Sequence, residues 1–274
     1  MKYTAKASKY VFKNFWYIFP FAAIPAFFFA LALDAPATEI VLKSFFSGKI
    51  NEITFHDAFC AISIFNFSDA KAIISGIVGI FVSITSVAML MAMLEKHMRI
   101  GKRTFNGLFS KLNDNLLPTG AFALLMLAFY ELWTVVTAAL LALFASITVV
   151  PLAYVLTVVA FVGMHFVLMY AISTVYLWLP CMQLTGFKAF EALSYSYQLV
   201  APEINQIVFS QVGVLIVAEL IIGAIAIFLS EWGMMVAAWA AYTLMLMLFC
   251  VRMQVVYFDR AQIDRADLDV YGKY

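Results

Sequence analysis

Six runs of mainly apolar residues, each roughly 20 residues or longer, divide this chain and constrain its fold more than any other feature. A bilayer core about 30 Å thick is crossed by roughly 20 residues of helix. Backbone inside lipid must satisfy its own hydrogen bonds, so runs of this length read as transmembrane helices. They cover about 14–33, 72–94, 117–145, 148–179, 207–229 and 232–258. Of the 274 residues 65% are apolar and only 12% are charged, whereas soluble chains carry about a quarter charged residues. The expected fold class is all-α: one polytopic membrane domain over 1–274, with six transmembrane helices plus interfacial amphipathic helices.

Orientation follows from lysine and arginine in the segments that flank the spans. With the N-terminus inside, fourteen of these residues fall in the cytoplasm, and only Lys43, Lys49 and Lys71 fall outside. Both termini are therefore expected in the cytoplasm of a bacterial cell membrane. The net charge of +1 points to no nucleic acid. Ala30-Leu31-Ala32 resembles a signal cleavage site, but the first run is long and interrupted by Pro20 and Pro25, so it is expected to stay as a kinked span.

The external connection, 34–71, clusters its apolar residues at Ile40-Val41-Leu42 and from Phe59 to Phe67. That pattern suits one or two short helices that cap the bundle, or a lid. His56 beside Asp57 falls short of a metal site. Ser75, Gly76, Gly79, Ser83 and Ser86 permit close helix approach in the second span.

On the inner side, Phe105, Leu108, Phe109, Leu112 and Leu116 recur at helical spacing, as do Phe187, Phe190, Ser194 and Tyr197. Interfacial helices are expected at 101–117 and 184–200, ended by Pro118 and Pro202. They offer a surface for a cytoplasmic or membrane protein partner, in addition to the lipid bilayer. Gly101–Leu108 can be set beside Gly186–Leu193, and Glu131 beside Glu219, which suggests an internal repeat of one interfacial helix and two spans. The charge-alternating tail from Asp259 to Tyr274 reads as a solvated continuation of the last helix, and Arg252 as a snorkelling residue.

Leu177-Trp178-Leu179-Pro180, then Gly186, Phe190-Glu191-Ala192-Leu193 and Ser196, with Tyr257-Phe258-Asp259-Arg260 after the last span, resembles a family of bacterial six-span membrane proteins. That group is similar to the membrane domain fused to some glycerophosphoryl diester phosphodiesterases. The resemblance covers roughly the last hundred residues and implies a membrane module without a catalytic residue of its own. The phosphodiesterase site belongs to a separate barrel domain, so no such activity carries over.

No P-loop, GxGxxG, HExxH or GxSxG stands in the sequence, and the cysteines Cys60, Cys181 and Cys250 are far apart. No catalytic residue, cofactor or metal is expected. The chemical lead is instead a set of ionisable residues inside spans: Glu131, His165 and Glu219. Measured from Pro118, Pro180 and Ile207, they lie at matching depths of about 18–22 Å at 1.5 Å per residue. Charge in hydrocarbon is costly, so the three are expected to face inward and converge, with Tyr130 and Gln211 adding hydrogen bonds. Such a cluster suits helix pinning, a proton or cation relay, or a small polar pocket.

Three functions fit this sequence. It reads first as a non-catalytic accessory or assembly module, with a permease subunit using a midplane polar site as the alternative. A lipid-acting membrane enzyme is the third.

Overall fold

The computed structural model describes residues 2–65, 69–228 and 231–271. Among these, six helices are long and apolar enough to cross a membrane. They are α2 (Phe15–Ala32), α5 (Ala70–Ile100), α6 (Leu108–Ala145), α7 (Val150–Thr174), α10 (Ile204–Phe228) and α11 (Glu231–Arg260). Six shorter helices complete the fold: α1 (Lys2–Lys13), α3 (Ala35–Phe46), α4 (Phe55–Ile62), α8 (Trp178–Thr185), α9 (Ala189–Val200) and α12 (Ala266–Tyr271). The protein is a multi-pass, all-α membrane bundle.

The centre of the bundle is α2, packed against α5 and α11. Its contact faces are small: Ala22, Ala26 and Ala30 are buried, and α5 meets it at Gly79. A Cβ at residue 79 would stand 3.0 Å from the Phe29 ring, so the two helices cross closely here. Pro20 and Pro25 both lie inside α2 without ending it.

Both termini fold onto one end of the bundle. α1 packs on α11, burying Tyr3, Ala7, Tyr10 and Val11. Asp259 ties it down, accepting from the Tyr3 hydroxyl at 2.8 Å and pairing with Lys2 and Lys6. Next to it, Arg260 donates to the Leu199 carbonyl at the end of α9. Tyr257-Phe258-Asp259-Arg260 is thus a clasp: two buried rings, then one charge for α1 and one for α9.

The tail is not a solvated extension of α11. That helix stops at Arg260, Gln262 takes a left-handed φ of +55°, and α12 turns back onto α5. Asp267 is fully buried and held by Arg265, which offers two N–H groups. Above it, the Tyr10 hydroxyl meets His97 Nδ1. Burial first, then the Asp267 charge, pushes the Tyr10 phenol well up, so it remains a donor. The calls on Ser230, Lys273, Phe67 and the last residues of the tail lie outside the described residues.

The expected interfacial helix at 101–117 is not a separate element. Gly101 and Gly107, both at positive φ, enclose a turn, and Leu108–Leu117 are the opening residues of α6. Pro118 sits inside that helix. The carbonyl deprived of its partner belongs to Asp114, which is exposed, so water can take the place of the missing N–H. Over 184–200 a separate helix does form, α9 (Ala189–Val200), while Leu184 and Thr185 belong to α8. The expected fourth span falls within the apolar stretch Val150–Thr185, in which a turn over 175–177 separates α7 from α8.

Candidate intramembrane polar site

The far end of the bundle, opposite the termini, is closed by the connection between α2 and α5. Asp34 starts α3 by accepting from the Ala37 N–H. Asp57 is spent in the capping box of α4 with Thr54, and His56 approaches Cys60 instead. α4 then descends along α6, with Ala58 packed in one cluster with Ala138 and Leu141.

Where α4 ends, three polar groups of the chain would face a dry interior. The Tyr130 hydroxyl donates to the Ile62 carbonyl at 2.6 Å. Glu131 accepts from the Ser63 hydroxyl at 2.8 Å and from the Ile64 N–H at 3.0 Å. Irregular backbone at membrane depth is tolerated only when protein satisfies it, and Tyr130 with Glu131 does that here. Glu131 is thereby drawn away from the other two sequence candidates.

His165 and Glu219 do meet. His165 Nε2 lies 2.8 Å from Glu219 Oε1, linking α7 to α10. Its other nitrogen, Nδ1, lies 2.7 Å from the Phe161 carbonyl. A carbonyl only accepts, so Nδ1 must carry a proton. The Nε2–Oε1 contact then holds one proton, either on a protonated Glu219 or on an imidazolium facing a carboxylate. Its net charge is zero in both forms, which is how an ionisable pair lasts in hydrocarbon.

Aromatic rings frame the pair. Phe161 and Trp133 set their edges to His165 at 4.4 and 5.1 Å, and the Trp133 N–H donates to the Met164 carbonyl. Tyr130 stands within electrostatic reach of both Glu131 and Glu219. Glu131 thus shares no hydrogen bond with the His165–Glu219 pair, whose two members bond each other. His165 is fully buried, whereas 31% of the Glu219 side chain is exposed.

A second polar site, nearer the terminal end, escaped the sequence reading. Arg252 does not snorkel; it is 4% exposed. Its Nε donates to the Tyr176 hydroxyl and its Nη1 to Ser210 Oγ, both at 3.0 Å. The Tyr176 hydroxyl donates in turn to the Phe249 carbonyl, and the Ser210 hydroxyl to the Ile207 carbonyl. Nearby, the Ser173 hydroxyl reaches Gln211 at 3.5 Å. Tyrosine and serine look unremarkable in an apolar run, so only the arginine itself could have signalled this site.

Among the described residues, no group of three or more His, Cys, Asp or Glu is arranged to hold a metal ion. A cavity of about 320 Å³ opens at the far end between Asp34, Asp69, Lys71, Glu231 and Trp232, its charges mixed. The architecture defines the class: a polytopic helical membrane protein. Beyond class, no family model, no curated protein and no solved structure matches the chain.

Proposed function

We propose that the chain is a non-catalytic integral module of a bacterial cell membrane, an accessory or assembly partner with both termini in the cytoplasm. The observation that carries this reading is the use made of the polar residues. Glu131 closes α4, Arg252 holds Tyr176 and Ser210, and Asp259 and Arg260 clasp α1 and α9. Each of these charges serves the architecture, and what the clasp assembles is a fixed terminal face. On that face α9 displays Phe190, 87% exposed, and Tyr197. Those residues suit contact with a protein partner or with the lipid interface. The resemblance of Tyr257–Arg260 to six-span bacterial modules supports the same reading.

A photo-crosslinking residue at Phe190 tests it, with Val159 on the apolar surface of α7 as the control. A protein adduct of one defined mass at 190, lost when α1 is deleted and not seen at 159, is expected. Adducts to lipid alone at both positions would overturn it.

The permease alternative rests on one observation of its own, the partly exposed Glu219 in contact with buried His165. Reconstituted vesicles holding a pH-sensitive dye separate the two. A proton flux that Glu219→Gln abolishes would favour the permease, because a glutamine amide exchanges no proton on this timescale.

A further inference from the structure

We propose that a cavity between α5, α6 and α8 binds a phosphate group, carried by an anionic phospholipid headgroup or free in solution. The cavity measures about 110 Å³ and is lined by Ala92, Glu95, Arg99, Lys111, Asn115, Gln183 and Leu184. Lys111 and Asn115 stand one turn apart and share a face of α6. Glu95 and Arg99 are related in the same way on α5, and Arg99 Nε lies 2.9 Å from Glu95 Oε1. That contact is ionic without the alignment of a hydrogen bond, since the same oxygen has no hydrogen-bond partner.

Charge and hydrogen bonding both call for an anion. Glu95 is 8% exposed and feels three cations, Arg99, Lys111 and Lys96. One carboxylate neutralises one of them, so the cavity keeps a positive excess. Asn115 is 7% exposed, lines the cavity, and makes no side-chain hydrogen bond among the described residues. An acceptor in the cavity would give this amide the partner that the protein does not supply. Gln183 is held in place by donating to Thr119 Oγ1 at 3.2 Å. A phosphate oxygen can accept from the Asn115 amide, the Lys111 ammonium and Arg99 together.

Location narrows the source. The site lies within about two turns of the ends of α5 and α6, and basic pockets near the ends of membrane helices hold anionic lipids. Phe109 and Leu116 lie exposed on the adjoining face of α6, where acyl chains would run.

The test measures binding of dioctanoyl phosphatidylglycerol and of inorganic phosphate to the full chain purified in detergent, followed by thermal shift. Phosphatidylglycerol should stabilise the protein, and Lys111→Ala with Asn115→Leu should weaken binding at least tenfold. Lys102→Ala, an exposed base outside the cavity, should leave it unchanged. Inorganic phosphate acting at concentrations like those of the lipid would assign the site to the free anion. Phosphate acting only far more weakly would assign it to the headgroup. Should the double variant aggregate, Asn115→Ala alone, eluting as wild type on gel filtration, takes its place. Equal affinity in the cavity variant and in Lys102→Ala, or no response to either probe, overturns the proposal.

Discussion

Ile64 and Gly76 meet so closely that a Cβ at residue 76 would stand 2.7 Å from the Ile64 carbonyl oxygen. On its other side, Ile64 gives its N–H to Glu131. This one residue is therefore fixed between α5 and α6, close to the end of α4. Gly76→Ala should push Ile64 outward, strain the Glu131 bond and destabilise the protein by about 1–3 kcal/mol, as overpacking does elsewhere. Gly163→Ala makes the fitting control, because nothing lies within 4 Å of a Cβ there. In a helix that change should be neutral or stabilising by up to about 1 kcal/mol. Thermal melts of the two variants in one detergent should move in opposite directions or differ clearly.

The His165–Glu219 contact makes a second prediction about stability, separate from any transport. In Glu219→Gln the amide can donate to a neutral Nε2, so the link between α7 and α10 survives. Glu219→Leu leaves that nitrogen unpaired inside the bundle, at a cost of about 1–3 kcal/mol. The leucine variant should melt well below the glutamine variant. Equal melting of the two would mean that the contact contributes nothing to the fold.

Glu131 should respond by the same rule for a different reason. Glu131→Gln can accept from the Ile64 N–H and donate to Ser63 Oγ, whereas Glu131→Leu orphans both. The leucine change should free the end of α4, read as faster hydrogen exchange over 55–64 with little change in α10. If α10 loosened as much as α4, the separation of Glu131 from Glu219 would be wrong.

The spans were legible in the sequence because length and hydropathy decide them with little help from context. The depth argument likewise brought His165 and Glu219 into one layer, since helix rise is uniform. It could not reveal that Glu131 turns elsewhere, because its partners are the hydroxyl and N–H of Ser63 and Ile64 in an irregular segment with no periodicity. Arg252 was misread because its partners are neutral and far apart in sequence. The reversal of the tail depends on Gln262 at positive φ, a conformation that glutamine does not announce.

At the terminal end, the Tyr3–Asp259 hydrogen bond should matter more than the lysine pairs around it. Lys2 and Lys6 are partly exposed, and such pairs contribute up to about 1 kcal/mol each at best. Burial, reinforced by the Asp259 hydrogen bond, pushes the Tyr3 phenol well up, so it stays a donor throughout the usable pH range. Asp259→Ala should therefore release α1 and speed tryptic cleavage after Lys9. High salt, which screens the lysines and spares the phenol, should do so only weakly. Cleavage equally fast in salt alone would assign the clasp to the lysines.

The orientation itself can be read with thiol labels, and the fold dictates where to put them. Gly48 and Gly107 mark the two ends of the bundle, but both have positive φ, where a cysteine would strain the turn. Their exposed neighbours Lys49 and Asn106 avoid that cost. The native Cys60, Cys181 and Cys250 are all buried, so replacing them with alanine or serine removes background without opening a surface. In intact cells an impermeant maleimide should label a cysteine at 49 and spare one at 106, and permeabilised cells should label both. Labelling at 106 alone would place the termini outside and reverse the orientation drawn from the lysines and arginines.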